Sequence, residues 1–462
     1  MHIQLNPSKL PIHWGMALGA LLCSQPAIAS TISSASNPAN PSLQTQAGPE
    51  VPQLAQRLRI ESDSPTRFVP ILGPIPRQRP EVYSPELLDM LESGFFLGGD
   101  FGIQNAEGIF AGLRAGYRDG EGRSIVFTGR GGEFLAGADL TYTQAAFSGD
   151  ETGAGRRVGY RLSANFNNTR DDAFLSDGDD DDVREVFLPV GDEQEPWVNR
   201  LGFETQVVVP ISSNTVVMPG LSYEKIRIQN RAFTDNLFPV DEQGNRLSAS
   251  NDGKDDLVLL SLFALQDNVS RDQYGFPLSG NVFQFGTEQS LPVGNTSLDF
   301  NRLSAGYVQY LPVNLFGFAE GPRTLILELQ GGTILGDVPG YEAFNLGGFN
   351  SARGYGQGDV GTASSFLQAR LEYRFPIAVT PGGFFEEMRG SLGVQYVTDF
   401  DTASNVIGRP SVVRNEPGEG FGFSIGLYFL DLDVPIVDTL RITAGVNDRG
   451  DFRASFGIGP AF

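Results

Sequence analysis

The sequence predicts an all-β protein: a 16-stranded antiparallel transmembrane β-barrel with an inward-folded extracellular loop. Three observations predict it. Beyond Ser93, segment after segment alternates between large apolar and small or polar residues, the period-two pattern of strands with two unlike faces. After Ser30 no apolar run reaches the roughly 20 residues of a spanning helix, and the longest, "LVLLSLFAL" from Leu257, is half that. The segments number sixteen, and their long connections all fall on one side, as in bacterial outer-membrane barrels.

Taken in order, the chain opens with Lys9, an apolar run from Ile12 to Cys23, and a small-residue cleavage site at Ala27, Ile28 and Ala29. That is the pattern of a secretory signal peptide over residues 1–29. The run is too short to anchor the chain as a helix, and Leu22 before Cys23 does not suit a lipoprotein site. Removing the peptide takes away the one cysteine and both histidines, His2 and His13. Thiol and histidine nucleophiles, Ser-His-Asp triads and nitrogen- or sulfur-ligated zinc go with them, so no catalytic residue, cofactor or metal is expected. Residues 30–93 are Pro-rich and polar, a disordered linker by composition. Within it "SPELLDMLES" offers a short helix with Ser84 as N-cap and Pro85 at the first position.

The strands are expected near 94–104, 108–119, 122–131, 133–147, 156–170, 197–210, 214–229, 255–268, 280–290, 296–311, 324–335, 363–375, 389–401, 420–430, 437–446 and 452–462, making 94–462 the barrel. The last is the clearest: Phe452, Ala454, Phe456, Ile458, Pro460 and Phe462 share a greasy face, opposed by Arg453, Ser455, Gly457, Gly459 and Ala461. A chain that spans a bilayer with strands must close them into a ring, because lipid cannot satisfy free backbone groups. The long connections, Asp171 to Pro196, Asn230 to Lys254, Gly336 to Thr362 and Thr402 to Glu419, follow odd-numbered strands. Both ends of the barrel then lie in the periplasm. With 33 Lys and Arg against 55 Asp and Glu, the net charge of −22 repels phosphate, so nucleic acid is not an expected partner; outer-membrane lipid is, because the greasy faces of the strands would meet it.

The connection after the eleventh strand carries "NLGGFNSARGYGQGDVG" and runs into "ASSFLQARLEYRFPI". There Ser365, Leu367, Ala369, Leu371, Tyr373 and Phe375 are expected to face lipid, with Gln368, Arg370, Glu372 and Arg374 facing the lumen. On the next strand Asp399 also points inward. Glycines around Arg353 let the backbone fold tightly, and a guanidinium inside a narrow barrel needs carboxylates that match its planar fork. The expectation is a loop folded into the lumen and pinned by Arg353. A glycosidase role for Glu372 and Asp399 is the weaker reading beside that arginine. "GYGQGDVG" lacks the lysine and helix of a phosphate loop. "SDGDDDD" from Ser176 departs from the EF-hand pattern at Asp182 and Leu188 and reads as a solvated loop.

These residues carry a specific likeness. "GGFNSARGYGQGDVG…LQARLEYRFPI" resembles the signature of the bacterial surface antigen superfamily, the BamA, TamA and FhaC type of outer-membrane barrel. The resemblance implies that Arg353, Gly354 and Tyr355 form the tip of the inward-folded loop, with Glu372 and Asp399 as its acidic partners. "DNVSRDQYGFPLSGNVFQF" from Asp267 is similar to another landmark of the family, and Phe462 matches its terminal aromatic assembly signal. The stretch before residue 94 is too short and unpatterned for the family's periplasmic repeat domains, so the likeness is to barrel-only members. It implies an outer-membrane protein that aids insertion of proteins into that membrane or their passage across it, with unfolded or secreted clients as partners. The opening would lie between the first strand, rich in Gly94, Gly98, Gly99 and Gly102, and the last, with Gly457 and Gly459. The alternative is a passive solute channel with the loop at 336–362 as constriction.

Overall fold

A computed structural model describes residues 82–83, 93–104, 108–147, 156–170, 174, 186–190, 194–272, 274, 276–293, 298–348, 351–356, 358–408, 417–434 and 437–459. The signal peptide, the helix expected from Ser84, the aspartate run from Ser176 and Phe462 lie outside the described residues. So does the linker, apart from Ser93 and the pair Val82–Tyr83, which hydrogen-bonds in parallel with Ala146–Phe147.

Sixteen strands build the barrel: β1 Gly94–Gln104, β2 Gly108–Arg118, β3 Arg123–Gly132, β4 Leu135–Gln144, β5 Gly159–Arg170, β6 Trp197–Pro210, β7 Thr215–Gln229 and β8 Lys254–Asp267. The second half is β9 Pro277–Leu291, β10 Phe300–Pro312, β11 Thr324–Gly336, β12 Ser365–Val379, β13 Phe385–Thr398, β14 Glu419–Val434, β15 Val437–Asn447 and β16 Phe452–Gly459. Each pairs antiparallel with its chain neighbours, and β1 meets β16 to close the ring. Among the described residues the closing ladder has three pairs, Phe101↔Ile458, Gly102↔Gly457 and Ile103↔Phe456. Between β1 and β2 there are eleven.

The long connections follow β5, β7, β11 and β13 and define one end of the barrel, here the loop end. The connections after even-numbered strands and the start of β1 define the opposite, turn end. Along the strands large apolar side chains stand exposed on the outside, among them Phe203, Leu260, Phe423 and Ile425, each more than half accessible. Thr443, Ser424 and Ser391, which alternate with such residues, are buried on the inside.

Two expectations about faces need correction. Tyr373 and Phe375 point outward as expected, but the connection between β10 and β11 folds back over them, leaving each 6% accessible. Phe316 packs its ring against both, with centroids 4.9 and 4.7 Å away. The Leu315 and Phe316 amides donate to the Tyr373 hydroxyl, which donates in turn to the Phe316 carbonyl at 2.6 Å. The inner face is also not uniformly small or polar. Toward the loop end Val198, Ile226, Ile228, Leu257, Phe300, Ile334, Phe366 and Val397 point inward and join Phe174, Leu188 and Leu247 from the long connections in one buried core. A strand can carry apolar residues on both faces where one side meets lipid and the other meets protein.

Candidate functional site

The connection between β11 and β12 enters this core instead of leaving the barrel. Val338–Pro339 pairs in parallel with Val406–Ile407. A single 3-10 turn follows at Gly340–Glu342. Phe344–Leu346 and Gly361–Ala363 then pair antiparallel, so the glycine-rich tip is held at the end of a short internal hairpin. Leu346 and Val360, at the hairpin, are both 0% accessible; burying each contributes about 1.5–3 kcal/mol relative to leaving it exposed.

The tip docks on two adjacent inward rows of the wall. Cross-strand register aligns Glu372, Gly393, Ser424, Gly445 and Arg453 in one row. The row nearer the loop end is Arg370, Gln395, Gly422 and Asn447. Arg353 spans both. Its amide donates to Gln395 Oε1 at 3.0 Å, and its Nη1 donates to Ser424 Oγ at 3.1 Å and faces Glu372 Oε2 at 3.4 Å. Gly354 has φ +102°, and a Cβ there would overlap the backbone of Val446 and Asn447. The Asn447 side chain donates to the Gly354 carbonyl at 3.5 Å. The Tyr355 hydroxyl donates to Asp448, and the Arg449 guanidinium lies 5.6 Å over the Tyr355 ring.

The wall is shaped to receive the tip. A Cβ at Gly422 would overlap the Arg353 carbonyl, and one at Gly445 would lie 2.7 Å from Arg353 Cβ. Sequence reasoning missed both wall glycines, because alternation says which residues face inward but not which strands oppose the loop. Glu372 is fully buried and shared: its closest described partner is Arg374 on its own strand, Nε to Oε1 2.6 Å, with Arg353 second. Asp399 lies one residue beyond β13, at the rim. Its carboxylate accepts the Asp401 amide at 2.8 Å, and its amide donates to the Gly418 carbonyl. A Cβ at Gly361 or Gly418 would sit 3.0 or 2.9 Å from that carboxylate, so Asp399 packs against the base of the hairpin.

A second cluster, unforeseen from sequence, holds the 3-10 turn against the other wall. Glu342 accepts from Arg200 Nη1 at 2.7 Å and Arg302 Nη2 at 2.6 Å. Each arginine also pairs with a wall carboxylate, Arg200 with Glu224 at 2.9 Å and Arg302 with Glu288 at 2.8 Å. The Tyr341 hydroxyl donates to Asp255 Oδ2 at 2.5 Å. Burial would push the Glu342 carboxyl up, but Arg200 and Arg302 outweigh it and hold it below the ordinary carboxylate range. Burial, then Asp255, pushes the Tyr341 hydroxyl well up, which keeps it a donor.

At the turn end Phe276 packs inside the barrel as well. Phe276 is buried edge-on to Tyr428, with the Arg389 and Arg374 guanidinium groups 4.8 and 5.6 Å from its ring. Arg389 also bonds Asp272 at 2.6 Å.

A closed sixteen-stranded barrel, greasy outside and occupied by its own arginine-tipped loop, defines a class: membrane β-barrels plugged from within. The chain belongs to the Omp85 superfamily, whose domain model matches residues 119–462. It is similar to the chloroplastic outer envelope protein 80 of Arabidopsis thaliana, 32% identical over 47% of this chain and 28% of that one. Outer envelope protein 39 of the same plant is 31% identical over 50% of this chain and 58% of its own length. The protein TOC75 of Pisum sativum is 30% identical over 50% of this chain and 29% of its own length. The chain thus spans between 28% and 58% of the length of these relatives. Among solved structures, BamA from Haemophilus ducreyi lacking POTRA domains 1–3 shares the fold, with TM-score 0.56, 15% identity, and 80% of this chain and 71% of that one covered. CdiB from Escherichia coli gives TM-score 0.51 at 12% identity, covering 79% and 63%.

Proposed function

We propose that this chain is an outer-membrane barrel that aids the insertion of proteins into that membrane or their passage across it. Unfolded client segments engage the seam between β1 and β16, lipid bathes the outer wall, and the loop end faces outward from the cell. Both ends of the barrel are then periplasmic. The observation that carries the reading is the closing ladder, three pairs among the described residues, with Gly102 opposite Gly457. A pair without side chains forgoes cross-strand contacts, so this ladder separates more easily than its neighbours. Membership of the Omp85 superfamily supports the same reading. The buried core at the loop end speaks against a passive solute channel, since it fills the path a solute would take.

The test is a lock. Cysteines replace Gly102 and Gly457 in a protein whose Cys23 has been changed to serine, and the barrel is reconstituted in liposomes with a urea-unfolded eight-stranded barrel as probe client. Oxidation is expected to abolish acceleration of client folding, and reductant to restore it. Full activity in the oxidised, crosslinked protein overturns the proposal.

A further inference from the structure

The two clusters on the internal loop have opposite polarity. At the tip, a loop cation sits against wall residues of β12, β13 and β14. Eleven residues earlier in the chain, a loop anion sits between wall cations of β6 and β10. All the groups concerned are buried: Glu342 7%, Arg200 7%, Arg302 2% and Arg353 5% accessible. At the Glu342 site Arg200 and Arg302 each already contact a wall carboxylate, Glu224 and Glu288. With Glu342 included, three carboxylates meet two guanidinium groups, and the third belongs to the loop. The backbone is held by the same two arginines, Arg200 Nη2 to the Tyr341 carbonyl at 2.5 Å and Arg302 Nη2 to the Glu342 carbonyl at 2.7 Å. The loop's main chain thus rests on the same two guanidinium groups that hold the Glu342 carboxylate.

We propose that Glu342 is a positioning residue for the plug, the counterpart of Arg353, and that the loop is tied across the lumen at two points, so that losing one tie loosens it and losing both releases it. This deepens the function proposed above and rests on it only for what release does to a client. The test is therefore read on the loop and on ionic current, which a failure of the client reading leaves untouched.

Ser351 supplies the reporter. It lies between the two ties, is 1% accessible, and its hydroxyl has no hydrogen-bond partner among the described residues, so Ser351→Cys perturbs little. In the full chain carrying Cys23→Ser and Ser351→Cys, maleimide labelling of the folded barrel is compared across Glu342→Gln, Arg353→Ala and the double variant. Glu342→Gln keeps size and shape and removes only charge. Labelling is expected to rise about ten-fold in each single variant, as a local opening becomes easier. In the double variant it rises by more than the product of the two, with a matching increase in planar-bilayer current. A folded Glu342→Gln barrel that labels and conducts as the parent does overturns the proposal. So does a Glu342→Gln barrel that only melts earlier with labelling unchanged, which is the signature of a purely structural carboxylate. If Glu342→Gln fails to assemble, Arg200→Gln and Arg302→Gln remove the same tie from the wall side, and unchanged labelling in both is equally decisive against it.

Discussion

Glu372 shows how partners divide a buried charge. Its tight contact is with Arg374, so losing Arg353 leaves the carboxylate paired, whereas losing Arg374 leaves it fully buried with one described contact at 3.4 Å. Removing one partner of a buried pair costs about 3–5 kcal/mol. Arg374→Ala is therefore expected to lower the unfolding midpoint on heat-modifiable gels more than Arg353→Ala does. Arg353→Ala acts chiefly on the loop, raising its cleavage by protease. Gly422→Ala and Gly445→Ala should reproduce that phenotype with Arg353 intact, since each added methyl occupies the place of the tip. If both alanine variants protect the loop as the parent does, the docking on these rows is wrong. Arg353 and Glu372 were legible in the sequence because period-two alternation placed Glu372 inside and a lone arginine among glycines drew notice. Glu342 was not, because its cations arrive from Arg200 and Arg302, 142 and 40 residues away in the chain.

At the scale of elements, the sixteen strands and the placement of their long connections follow from turn chemistry and alternation alone. Their limits shift by a few residues, as where 296–311 becomes Phe300–Pro312 and 363–375 becomes Ser365–Val379. What alternation could not reveal is how the connections fold back. The segment over Tyr373 is one instance. Tyr373→Phe removes a hydroxyl that accepts two amides and donates to one carbonyl, an expected loss of roughly 1–3 kcal/mol. The accompanying sign is new proteolysis within residues 313–323. An intact segment in Tyr373→Phe would mean that the ring contacts of Phe316 suffice to hold it.

The whole molecule is plugged at three levels: an apolar core at the loop end, the Arg353 rows below it, and Phe276 at the turn end. The parent barrel in a planar bilayer is accordingly expected to pass little steady current at low voltage. A large, stable conductance would contradict the packing of Leu346, Val360 and Phe366. These plugs also differ in how far along the chain their partners lie. Tyr341 reaches Asp255 across 86 residues, while Arg353 and Tyr355 wait for Ser424 and Asp448, 71 and 93 residues further on. A growing curl of β6 to β11 can thus seat the 3-10 turn before β14 exists. A barrel that closed in that direction would wrap its later strands onto a loop already seated, much as a cooper bends staves around a form, with the β1–β16 pairs, the fewest among the described residues, left to shut the hoop.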